Sequence, residues 1–262
     1  QMSRPAVSIR SSGGWTFGSP SVLMMFYRAP GELASELAEM DECMPHYYQI
    51  TGNHGQGAET IMHAEAAFMQ GRFTDAHIAL ERAYAQIEGN GQENMALCCD
   101  FLARRLSLFT DIGQRARFEK RREQLLAHHN VSWLNLWNAA AAYHHALLGS
   151  TDSIPEAYRR HRLFTVRTLA PGKPMIEMIE NQVYLAQGEY AHVIGRSEGL
   201  LTQCEAMHYA LVALHIRIQT AAAYEMLGKH GEARALLERA LADAEPDGFA
   251  LPFAENFRYL EP

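Results

Sequence analysis

The stretch MQGRFTDAHIALERA, Met69 to Ala83, returns near the other end of the chain as MLGKHGEARALLERA, Met226 to Ala240. Both open on a methionine, place a glycine two residues later and run into a segment with alanines at helical contact spacing. The same mark stands at Gly31, Gly71, Gly149, Gly188 and Gly228, at intervals of 40, 78, 39 and 40 residues. The long interval is twice the short one, and Thr110 to Gly113 supply a turn near its middle. Six units of about 40 residues result, each a helix, a short turn and a second helix.

Periodicity supports the helices independently. AETIMHAEAAFM carries Ile61, Ala64, Ala67 and Phe68 at three-to-four spacing, and HIALERAYAQI carries Ile78, Leu80, Ala83, Tyr84 and Ile87 in the same way. NGQENMALCCDFLARRLSLF and SWLNLWNAAAAYHHALL are apolar on more than one side, as helices held between neighbours should be. Small residues recur where paired helices must approach: Ala64, Ala67, Ala76, Ala83, Ala221, Ala233 and Ala240. Pro20, Pro30, Pro155 and Pro174 sit where helices should begin or pause. Strand signals are nearly absent. The expected fold is an all-α solenoid of about six helix-turn-helix units over residues 17–262, preceded by a loose start over residues 1–16. A chain that opens on Gln1 reads as cut from something longer, or as processed.

Composition narrows the function. A formal net charge of −7 argues against this chain itself gripping a phosphate backbone, and leaves small molecules and proteins as partners. The four cysteines, Cys43, Cys98, Cys99 and Cys204, form neither a CxxC site nor a disulfide framework, which points to a reducing, cytoplasmic setting. No apolar run reaches the length of a membrane span.

Catalytic motifs fare poorly. GRSEG, Gly195 to Gly199, matches the GxSxG nucleophile elbow, but that motif needs a strand before the serine, and here it falls inside the second helix of the fifth unit. Cys204, His208 and His215 share one helical face, the minimum for a metal site, yet isolated helical histidines are usually partly buried polar residues. No metal site is expected. Arg104, Arg105, Arg115, Arg117, Lys120, Arg121 and Arg122, with YRRHRLFTVR further on, are basic enough for an acidic partner, but Glu119 and Glu123 break the run into an ordinary solvated face.

The glycine turn followed by an Ala-containing helix resembles the tetratricopeptide repeat, although these units exceed its usual ~34 residues and lack most of its tryptophans. FGSPSVLMMFYRAPGEL, EMDECMPHYYQITGNHGQGAE, MHAEAAFMQGRF and the ending GFALPFAENFRYLEP resemble the sensor region of the large ATP-binding LuxR-type, MalT-like transcriptional activators. In that family a P-loop ATPase precedes the repeats and a DNA-binding helix-turn-helix follows them. The resemblance therefore implies a sensing and relay segment, with ATP and promoter DNA bound by modules outside this chain. Consistent with that division, no GxxxxGK[ST] occurs: neither Gly172–Lys173 nor Gly228–Lys229 is followed by Ser or Thr. The chain is expected to be no enzyme and to need no cofactor of its own. The alternative is a stand-alone repeat scaffold that holds peptides.

In stacked helix pairs the first helix of each unit lines the concave side, the natural place for an inducer or a regulatory protein. Counting back from the marks, the inner positions include Glu65, Phe68 and Met69 in unit two, and Asp100 and Arg104 in unit three. Unit four supplies Tyr143, unit five Met178 and Gln182, and unit six Glu225. Aromatics, methionines and a few charges suit an adaptable binding wall. Asp100 and Arg104, four residues apart, are expected to pair across a turn. Residues 17–28 and 248–260 are apolar and are expected to leave bare end faces, inviting weak self-association or a covering helix.

Overall fold

In the computed structural model of the chain, residues 19–88, 91–111, 113, 115–162 and 170–260 are described. The loose start expected over residues 1–16 lies outside them, as does part of the second basic stretch. Among the described residues there are thirteen α-helices and no strand. They are α1 (Leu23–Phe26), α2 (Leu33–Thr51), α3 (Ala58–Met69), α4 (Phe73–Ile87), α5 (Glu93–Leu106), α6 (Arg115–Ala127) and α7 (Val131–Leu148). Then follow α8 (Glu156–Arg159), α9 (Lys173–Ala186), α10 (Tyr190–Met207), α11 (Ala210–Met226), α12 (His230–Ala244) and α13 (Leu251–Leu260).

Four of the five glycine marks are turns of one hydrogen-bond pattern, whereas the Gly31 amide donates to Asp247. After α3, the Gly71 amide donates to the Phe68 carbonyl and the Arg72 amide to that of Ala67. Gly149, Gly188 and Gly228 with their following residues repeat the same two bonds. This arrangement satisfies the last carbonyls of a helix but demands a left-handed residue, and Gly71 and Gly228 stand at φ +74° and +70°. The next helix starts two residues later, so partners are forced antiparallel. The third unit has no such turn: α5 ends at Leu106 and α6 begins at Arg115. Two units also differ in size, because α1 and α8 are four residues each.

First helices α3, α5, α7, α9 and α11 form a row in which each packs on the next, with α4, α6, α10 and α12 as their outer partners. The alanines expected at contacts, from Ala64 to Ala240, are all buried. The two ends of the row come together. Both α1 and α13 pack against α3 and α11 alike. Asp247, ahead of α13, makes the joint: its carboxylate accepts from the Tyr27 hydroxyl at 2.5 Å, the Gly31 amide at 2.6 Å and the Leu33 amide at 3.2 Å. The Tyr27 and Phe249 rings meet edge to face at 5.2 Å, and the Ala250 amide donates to the Met69 carbonyl. Among the described residues, the two apolar ends are therefore largely covered, Phe257 excepted. Val22, Leu23, Met24, Tyr27, Phe249, Leu251 and Tyr259 are buried within the chain, where each large side chain is worth roughly 1.5–3 kcal/mol.

Glycines in two settings should respond oppositely to alanine. Gly228→Ala meets nothing within 4 Å, so its expected cost of ~1–2 kcal/mol is the left-handed backbone alone. Gly195→Ala and Gly199→Ala lie inside α10 with equally open space and should each gain ~0.5–1 kcal/mol. Urea denaturation of the three variants measures both signs.

Candidate functional site

The inner side of the row converges on α13. Its buried stripe is Leu251, Pro252, Glu255, Asn256 and Tyr259, a helical spacing that places one carboxylate among apolar side chains. Glu255 meets Arg105 of α5 in a two-pronged pair, Nε to Oε1 at 2.7 Å and Nη2 to Oε2 at 2.9 Å. The Tyr143 hydroxyl of α7 donates to Oε2 at 2.9 Å. The side chains of Arg105 and Glu255 are 2% and 0% exposed. The rings of Phe68, Phe101 and Tyr143 surround the guanidinium at 5.0, 5.4 and 5.6 Å, and the Met69 sulfur lies 3.8 Å from Nη2. Burial works against the Arg105 charge, but Glu255 outweighs it and holds the guanidinium above its ordinary pKa. Burial, then the Glu255 charge, keeps the Tyr143 hydroxyl protonated.

Four expected wall residues belong to this hub or its border. Tyr143, Phe68 and Met69 touch Arg105 or Glu255 directly. Glu65 sits one turn before Phe68, where Oε2 accepts from the Leu23 amide at 2.7 Å and holds the start of α1. Burial pushes Glu65 up to about 7, against the opposing pull of that amide, Ser21 and Arg105. Met178 and Gln182 of α9 form a second buried cluster: Gln219 Nε2 of α11 donates to the Met178 carbonyl at 3.1 Å and to Gln182 Oε1 at 2.9 Å. All six are buried, so they line no open groove.

One expectation fails. Asp100 and Arg104 do not pair with each other. Asp100 accepts from the Tyr84 hydroxyl at 2.8 Å and from Arg121 Nε at 3.1 Å, toward α4 and α6. Arg104 lies between the rings of Phe118 and Trp137, at 4.2 and 4.8 Å, toward α6 and α7. Arg105 and Phe101 face α13 instead. The counting frame is one residue out in this unit because its turn is not the two-residue glycine turn that set the frame elsewhere. Glu225, in the last turn of α11, is half-buried and bonded to His230 at 2.6 Å.

The hub residues missed from sequence are Arg105 and Glu255. The available signal was the lone glutamate on the apolar stripe of LPFAENF, which needs a buried cation opposite it. Ser197 lies mid-helix with its hydroxyl donating to the Ile194 carbonyl, not on an elbow. Cys204 and His208 border a surface cleft while His215 is buried in α11, so the three do not converge. The basic run likewise forms no single patch: Arg104 and Arg105 are buried, and Arg117 and Arg121 are tied to Glu81 and Asp100.

Arg105→Met leaves Glu255 buried and unpaired and should cost about 3–5 kcal/mol. The neighbouring Arg104→Met removes a cation that stacks on two rings with no carboxylate among the described residues in a salt bridge to it, and should stay within about 1 kcal/mol of the original protein. Chemical denaturation separates the two and checks the one-residue correction. Glu65 has a signed pH effect. Its folded pKa is raised from 4.5 to about 7, so its contribution is full below pH 4.5 and is lost as pH rises toward 7. Glu65→Gln should flatten the stability curve by up to roughly 3 kcal/mol in that window, measured as unfolding free energy against pH.

No family model matches the sequence, and no characterised protein or solved structure is similar to it at a significant level.

Proposed function

We propose that this chain is the signal-sensing and relay segment of a LuxR-type, MalT-like transcriptional regulator. The resemblance of its first hundred residues and its ending to that family motivates the regulator reading. One structural observation supports a receptor role: Arg105 and Tyr143, from two successive units, meet a single carboxylate on α13, and Phe68 of the unit before lies against the Arg105 guanidinium. Side chains from separate repeats that meet at one charged group give a point at which a signal alters the packing of the whole row. An inducer or a regulatory protein that replaces α13 there favours a second arrangement by its differential affinity for the two. ATP and promoter DNA are bound by other modules of the same regulator, in the cytoplasm; no described helix is long and apolar enough to cross a membrane.

A second reading, a peptide-holding scaffold, has its own support. A cleft of about 400 Å³ beside α2 is lined by Met25, Met40, Met44, Met62 and Met207, with Phe26 and Tyr47. Flexible, polarizable methionines make adaptable docking surfaces.

An antibody raised against this chain distinguishes the two. For the regulator, it detects a native protein far larger than 29.4 kDa and recovers discrete promoter DNA from crosslinked cells. A native protein of that mass, recovered without DNA, rejects the regulator and leaves the scaffold.

A further inference from the structure

Glu255 is held as a bound ligand is held. Three donors from two helices of the wall, Arg105 Nε, Arg105 Nη2 and the Tyr143 hydroxyl, converge on its two oxygens at 2.7 to 2.9 Å. Side-on guanidinium contact with both oxygens is the geometry that selects carboxylates. The ring walls of Phe68, Phe101 and Tyr143 fix the guanidinium plane whatever occupies it. These donors sit on α5 and α7, which pack directly on each other.

The fit of α13 around that carboxylate is poorer. His215 of α11 is fully buried, and neither of its ring nitrogens has a hydrogen-bond partner in the chain. Burial, then the Arg105 charge, keeps its imidazole neutral, with one donor and one acceptor. Asn256, next to Glu255 and also fully buried, has no partner for Oδ1. Buried polar groups are rarely left unmet, and each costs ~1–3 kcal/mol. On the wall, His215 therefore has hydrogen-bonding capacity that the chain leaves unused, and on α13 Asn256 has one unmet acceptor.

We infer that Arg105, Tyr143 and His215 form a recognition site for a small carboxylate bearing a further hydroxyl or amino group, with Glu255 as its internal occupant. Carboxylate and Glu255 compete for the same donors, so binding releases α13. This rests on the sensor reading above, since it names the chemical class of the signal and its seat. Only the hydrogen-bond partner of the three donors changes, and no covalent bond is made or broken.

Chemical rescue tests the site on the full 262-residue chain. Glu255→Ala leaves the three donors facing a gap of carboxylate size. Formate, acetate and lactate should restore most of the lost Tm in a saturable way, and chloride at equal ionic strength should not. Adding Tyr143→Phe should weaken rescue about tenfold, the loss of one hydrogen bond. In the unmodified chain, lactate should raise amide exchange across residues 251–260 at saturation. A folded Glu255→Ala protein that no carboxylate stabilises beyond chloride overturns the proposal. If that variant does not fold, Glu255→Gln keeps the shape without the charge, and carboxylates must then raise exchange across 251–260; unchanged exchange overturns it equally. The regulator reading fails separately. Rescue without promoter association of the native protein keeps the site and removes its role in transcription, whereas promoter association without rescue keeps the regulator and rejects the carboxylate.

Discussion

A guanidinium taken out of water must regain both its hydrogen bonds and its counter-charge, and the inner side of this helical array is arranged around that demand. Arg105 finds both in Glu255, from a helix 150 residues further along the chain. A buried ion pair of this kind adds little net stability over a well-packed apolar pair, because desolvation consumes most of the attraction. What it adds is position. The apolar stripe of α13 alone would tolerate a shift along the row, but a single carboxylate facing a single guanidinium admits one register. Other contacts follow from that register: Tyr143 reaches Oε2, the Ala250 amide reaches Met69, and Asp247 gathers Tyr27, Gly31 and Leu33.

The same register brings the two ends of the repeat row together. Had α13 stacked only on α11, as another first helix in sequence, VLMMFY near the start would have faced water. Instead α1 lies against both α3 and α11, with its first amides held by Glu65 and Ser21. Polar groups set the geometry on both sides of this joint, and apolar burial supplies most of the free energy.

The hairpins were legible because their cause is local. A left-handed turn residue that must be glycine recurs at a fixed period, and alanine at helix contacts repeats with it. From these, the turns at Gly31, Gly71, Gly149, Gly188 and Gly228 and the helices between them can be written down directly. The inner wall was legible only as far as that frame held. Phe68, Met69 and Tyr143 do face the Arg105–Glu255 pair, but buried and not on an open groove, whereas Arg104 displaced Arg105 because the third turn follows another geometry. Neither the occupation of the inner side by α13 nor the burial of both ends could be read this way, since each depends on contacts across most of the chain length. LPFAENF gave a hint in its isolated glutamate, but no local rule identifies the cation it meets.

Under the proposed sensor function, an inner side filled by the chain's own helix makes the resting arrangement part of the signal response. That view depends on Arg105 and Glu255 acting as one unit. A double-mutant cycle with Arg105→Met, Glu255→Met and the pair, read as unfolding free energies, measures this directly. If the two residues hold α13 in register, the double variant is less destabilised than the sum of the singles by about 2–3 kcal/mol, because two methionines can pack where one unpaired charge cannot. Losses that simply add would show that the two side chains do not interact, and that α13 is not held in the way described.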